Sequence, residues 1–83
     1  MSRFFFHLHN DMDVPDPEGE EFPDFESAKA AALKYARDMV AASVVEQGKI
    51  DQSHYIEVFD ETGGSMFKIK FGEAVRIVRD GVE

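Results

Sequence analysis

Apolar and polar positions alternate from the first residues of the chain. In Arg3-Phe4-Phe5-Phe6-His7-Leu8-His9, an extended backbone puts Phe4, Phe6 and Leu8 on one side and Phe5, His7 and His9 on the other. A half-solvated strand is apolar on one side only, so the aromatic character of the second side marks a surface in want of a partner. The same period of two returns in His54-Tyr55-Ile56-Glu57-Val58-Phe59, where Ile56 and Val58 oppose Tyr55, Glu57 and Phe59. It returns again over Ser65 to Phe71, sending Phe67, Ile69 and Phe71 inward and Met66, Lys68 and Lys70 outward. Asp60-Glu61-Thr62-Gly63-Gly64 between these two runs reads as a hairpin loop, with glycines available for positive backbone angles.

The period lengthens in the middle of the chain. Phe25, Ala28, Ala32, Ala36, Met39, Val40 and Ser43 fall on one face of a helical wheel, with Leu33 and Tyr35 on its flanks. Asp24 offers a capping carboxylate after Pro23, and Glu26 stands in the first turn near the positive end of the helix dipole. Gly48 closes the helix at about Gln47, where a left-handed residue commonly ends one. Alanines at the centre of the stripe let the axis sit close to a sheet, leaving volume for inward phenylalanines.

Asn10 to Pro23 reads as a loop with a turn at Asp16-Pro17-Glu18-Gly19, and Glu20 to Phe22 can return as a short edge strand beside the first. Gly72 to Val78 fits two descriptions: Val75 and Ile77 alternate like a strand, while Glu73-Ala74-Val75-Arg76 suits a helical turn. Asp80 to Glu83 is expected to fray. The order of elements implies an α+β fold, a three- or four-stranded antiparallel sheet with one long helix on one face. The simplest path places the third long strand between the first and second, with Phe67, Ile69 and Phe71 at the centre of the core. Phe5, His7 and His9 would then stand beside Met66, Lys68 and Lys70, and these beside Tyr55, Glu57 and Phe59.

Eighty-three residues make a single domain, residues 1–83, with a thin stability margin that eight phenylalanines help to meet. No cysteine is present, so disulfides and thiolate chemistry are excluded and a cytoplasmic setting is expected. No apolar run approaches a membrane span, and the N-terminus lacks the pattern of a signal peptide. The formal charge of -8 disfavours binding to a phosphate backbone. Charge is nonetheless uneven, with eight acids from Asp11 to Glu26 and a local basic pair at Lys68 and Lys70.

Candidate chemistry is sparse. His7 and His9 lie two apart on a strand, a spacing that can begin a zinc, nickel or copper site, but His54 shares its parity with Ile56 and so points to the helix side. Solvated polar residues are the simpler reading, and no metal site is assigned. The acidic run Asn10, Asp11, Asp13, Asp16 lacks the glycine and terminal glutamate of a calcium loop, and Pro15 occupies the next alternating position. Serines 27, 43, 53 and 65 sit on no nucleophile elbow, and Gly63-Gly64 with Lys68 forms no phosphate cradle. No catalytic residue and no cofactor is expected, and the balance leans away from an enzyme.

What remains is the second face of the sheet: Phe5, His7, His9, Tyr55, Phe59, Met66, Lys68 and Lys70. It is more apolar than an ordinary solvated surface. The expected partner is another protein or a second copy of the chain, with Phe5, Tyr55 and Phe59 as anchors. A single-stranded nucleic acid stacked on the same rings is the alternative, disfavoured by the acidic excess and by a face with only two lysines. A small metal- or ligand-binding role is the further alternative.

The Arg3-Phe4-Phe5-Phe6-His7 opening, the Asp16-Pro17-Glu18-Gly19 turn, the Pro23-Asp24 helix entry with its alanine-rich run, and Ile56-Glu57-Val58 leading to Asp60-Glu61-Thr62-Gly63 resemble a family of small, chiefly alphaproteobacterial proteins classed as a domain of unknown function. The resemblance covers nearly the whole chain and implies no activity, cofactor or catalytic residue.

Overall fold

The computed structural model describes residues 1–78, so the fraying expected over Asp80 to Glu83 lies outside the described residues. The elements are β1 (Ser2–His9), β2 (Asp13–Val14), β3 (Glu20–Phe22), α1 (Phe25–Gln47), β4 (Tyr55–Phe59), β5 (Ser65–Lys70) and α2 (Phe71–Ala74). All strand pairs are antiparallel and α1 covers one face, which makes the fold α+β.

The helix ends follow from local chemistry. Asp24 keeps an extended backbone and its Oδ1 accepts the Ser27 N–H at 2.8 Å, satisfying one of the donors that a helix start leaves open. Gly48, at φ 70°, donates to the Val44 carbonyl and stops the helix. Between the caps Ala28, Ala32, Ala36 and Val40 are buried, whereas Met39, at the margin of the expected stripe, is exposed. A 23-residue helix is roughly 34 Å long, so it outruns the strands beneath it, and Val44 and Val45 near its end stay exposed.

The strand order corrects the expectation. It is β2-β1-β4-β5, with β3 also paired to β1, so the second long strand is central and the third lies at the edge. Ile56 and Val58 of β4 are buried, Val58 completely, while Phe67 and Ile69 of β5 are only half-buried. The core is therefore Ile56 and Val58 with Phe4, Phe71 and the helix alanines, while Phe67 and Ile69 only flank it. Two β-branched residues in the middle strand suit contact with neighbours on both sides. Phe71 is buried as expected, but from the first position of α2 and not from a strand. A helical turn forms at Phe71–Ala74, two positions before the expected Glu73-Ala74-Val75-Arg76, and residues 75–78 form no regular element.

Aromatic edges complete the helix side. Phe6 meets Phe22 at 5.8 Å and Tyr35 at 5.4 Å, both edge to face, and Phe25 meets Phe67 at 5.3 Å. The predicted return strand at Glu20 to Phe22 is present as β3. β2 was not expected: Asn10 Oδ1 accepts the Met12 N–H at 2.9 Å and turns the chain so that Asp13 and Val14 pair with His9 and Leu8.

Candidate interaction surface

With α1 on one face, the opposite face of the sheet is formed by side chains of β1, β4 and β5. Register fixes their neighbours: Phe5 lies across from Phe59, His7 from Glu57 and His9 from Tyr55. Across β4 the pairs are Tyr55 with Lys70 and Glu57 with Lys68. The β1 residues therefore stand beside the β4 residues, and not beside Met66, Lys68 and Lys70 as the expected strand order required. Phe5 and Phe59 adjoin as a result at one end of the face, with His9 and Tyr55 at the other.

Contacts within the face hold these groups in place. His9 stacks on Tyr55 with ring centroids 4.6 Å apart, and His7 tilts against Phe59 at the same distance. Lys68 Nζ lies 5.0 Å from the centre of the Tyr55 ring, so the ring carries an imidazole on one side and an ammonium group near it. Ser65 Oγ donates to Glu57 Oε2 at 2.6 Å, and His9 Nε2 lies 3.5 Å from Glu57 Oε1. His9 Nδ1 is 2.8 Å from Asp13 Oδ1, tying β2 to the face. Phe5, His7, His9, Tyr55 and Phe59 are all half-buried, while Met66, Lys68 and Lys70 are exposed.

Ser65 is a member that alternation did not find. A register shift between Val58 and Phe59 sets Val58 against Phe67 but Phe59 against Ser65, leaving Met66 as the extra residue of a bulge. The hairpin that imposes this offset is fixed by Asp60. Its Oδ1 accepts the Thr62 hydroxyl at 2.6 Å, the Thr62 N–H at 2.9 Å and the Gly64 N–H at 3.0 Å. The Thr62 hydroxyl bond is the foremost reason that the Asp60 carboxyl is held below its ordinary pKa.

The Asp16-Pro17-Glu18-Gly19 turn also reaches the site. Asp16 Oδ1 accepts the Gly19 N–H at 3.0 Å and Oδ2 accepts the Phe6 N–H at 3.2 Å. One carboxylate thus closes the turn and satisfies β1 in the gap between its pairings with β2 and β3. Gly19, at φ 68°, lies so close to β1 that a Cβ there would come within 2.8 Å of the Phe4 carbonyl and the Phe5 ring. Turn and glycine were legible in the sequence. Their contact with Phe5 was not, because nothing local announces it.

The three histidines do not converge. His54 sets its ring edge-on to Phe71, with Nε2 3.2 Å from Asp51 Oδ2 and 3.5 Å from Asp11 Oδ1, apart from the His9 cluster. Among the described residues no group of three or more His, Cys, Asp or Glu side chains is placed to hold a metal ion. Among the described residues, too, no helix is long and apolar enough to cross a membrane.

Charge divides across the sheet. The acids from Asp11 to Glu21 follow segments that border β1, whereas Lys68 and Lys70 lie on β5 at the opposite edge, where Glu26 of α1 shares a groove with Lys68. No curated protein and no solved structure matches the chain. The family model described as "Domain of unknown function (DUF6894)" matches residues 3–72, from the first strand through the start of α2, and the chain belongs to that family.

Proposed function

We propose that the protein is a small interaction module whose open sheet face, built on Phe5, Tyr55 and Phe59, docks against another protein chain, and that the first chain to test is a second copy. The carrying observation is the adjacency of Phe5 and Phe59 on paired strands, with Tyr55 four residues along β4 beyond Glu57, on the face that α1 leaves uncovered. Rings already stacked on His7, His9 and Lys68 lose little freedom when a partner covers them, so contact area converts to affinity with a small ordering cost. Helical cover on one face only, combined with rings on the other, is the arrangement of an interface waiting for its second layer.

Charge favours a symmetric pair. A twofold axis parallel to the strands would stack two open faces while reversing the order of strands, bringing Lys68 and Lys70 of one copy over the Asp13 side of the other. The absence of cysteine fits a reducing, cytoplasmic setting for such a module.

Light scattering after size exclusion at micromolar concentration tests the pairing. Wild type is expected at twice the chain mass, and Phe5→Ser with Phe59→Ser at the monomer mass with unchanged circular dichroism. A wild-type monomer would remove the second copy as partner.

A further inference from the structure

The free edge of β5, which shares Lys68 and Lys70 with the open face, carries an inference that does not rest on Phe5, Tyr55 and Phe59. β5 is last in the order β2-β1-β4-β5, so its outer side meets no strand among the described residues. Phe71 N–H donates to the His54 carbonyl at 2.7 Å, toward β4, and Lys70 N–H turns the other way, to Glu73 Oε1 at 3.0 Å. Alternation over the regular stretch from Phe67 to Lys70 therefore turns the N–H and C=O of Lys68 outward, the groups that an added strand would pair. Beneath this edge, on the helix side, lies a groove of about 380 Å³ whose lining includes Glu26, Lys29, Leu33, Lys68, Ile69 and Glu73. It exists because α1 flanks an edge strand with no neighbour beyond it, leaving Leu33 and Ile69 half-buried.

We propose that this edge accepts an extended segment of a partner protein in which acidic residues alternate with apolar ones, lengthening the sheet by one strand. The edge already paired shows the pattern that β5 accepts: β4 sets Glu57 across from Lys68 on the open face and Ile56 across from Ile69 on the helix face. Acids at every second position of the incoming segment meet Lys68 and Lys70, cations about 7 Å apart along the strand. The intervening apolar side chains enter the groove over Leu33 and Ile69. Opposite charges on paired strand positions stabilise and like charges destabilise, so the β5 of a second copy is the wrong occupant: it lays one lysine row beside another. Backbone hydrogen bonds supply affinity in strand addition, and alternate side chains supply specificity.

The probe is a short, fluorescently labelled synthetic peptide alternating glutamate with valine, titrated with the whole protein and followed by anisotropy. Saturable binding is expected, weakened roughly tenfold when alternate backbone amides of the peptide are N-methylated. Lys68→Glu with Lys70→Glu should weaken it by a similar factor and transfer preference to a peptide alternating lysine with valine. Phe5→Ser with Phe59→Ser should bind the peptide as wild type does, so failure of the open-face reading leaves this one standing. Absence of saturable binding, equal binding of the N-methylated peptide, or unchanged preference in the charge-reversed variant would overturn the proposal.

Discussion

Replacing Gly19 with alanine adds one methyl group at the point where the acidic turn meets the open face, and Gly48→Ala supplies its control. Both glycines adopt left-handed backbone, at φ 68° and 70°, where a Cβ costs about 1–2 kcal/mol. At Gly48 nothing lies within 4 Å of the added atom, so the conformational cost stands alone. At Gly19 the atom would sit 2.8 Å from the Phe4 carbonyl and from two carbons of the Phe5 ring. The ring can turn, but the carbonyl belongs to a strand paired with both β3 and β4 and cannot readily retreat. Overpacking of this kind adds about 1–3 kcal/mol. Gly19→Ala should therefore destabilise by about 3 kcal/mol and Gly48→Ala by about 1 kcal/mol. In a domain of this size each kcal/mol lowers the melting temperature by about 4–8 °C, so thermal melts should separate the two variants by roughly 10 °C. Equal losses would refute the close approach of the turn to β1, and with it the covering of one side of Phe5.

Further predictions concern the core and the titrating groups. Val58→Ala should cost about 2 kcal/mol in urea unfolding, more than Ile69→Val, since Val58 is completely buried in the central strand while Ile69 lies at the edge; the reverse ranking would restore β5 to the centre. Tyr35 donates its hydroxyl to Glu20 Oε1 at 2.7 Å, a bond that raises the phenol above its ordinary value of 10.0. A raised folded-state value means stabilisation that is complete below the unfolded value and lost as pH climbs through the folded one. Glu20→Gln should move the phenolate absorbance titration toward 10.0, and no movement would deny the bond. Asp24, Asp51 and Asp60 are held below 3.8, by hydrogen bonds chiefly from the Ser27 backbone and from the Ser53 and Thr62 hydroxyls. Depressed folded-state values give the opposite sign: the contribution is complete above the unfolded value and lost as pH falls through the folded ones. Stability measured by circular dichroism should thus decline on acidification below about pH 4, less steeply in Asp60→Asn; an identical slope would show that Asp60 is not tied to Thr62.

Features governed by neighbouring residues were legible in the sequence, and those governed by distant ones were not. Asp24 and Gly48 mark the helix ends because capping is chemistry between residues three or four apart. Strand parity likewise gave the two sides of β1 and β4 correctly, since side-chain direction is a property of the single strand. Strand order is a property of pairs, and alternation is silent on it: Phe67 and Ile69 look as suited to the centre as Ile56 and Val58. The pairing of Glu57 with Lys68 reads in hindsight as a cue, but acids and lysines are too common in this chain for it to have decided the order. The bulge at Met66 was hidden by the glycines of the hairpin, which admit more than one register. Asp16 was readable as the start of a turn, whereas its acceptance of the Phe6 N–H spans ten residues and needed the fold.

The open face as a docking surface is most directly tested by capture with variants that differ only in surface. Immobilised wild type, Phe5→Ser with Phe59→Ser, and Lys34→Ser on the outer side of α1 would be exposed to native lysate supplemented with labelled copies of the chain. The expected result is one chain, the labelled copy or another protein, held at equal stoichiometry by wild type and Lys34→Ser and released by the double variant. Stoichiometric retention of the same chain by all three, or by none, would contradict a contact made through Phe5 and Phe59.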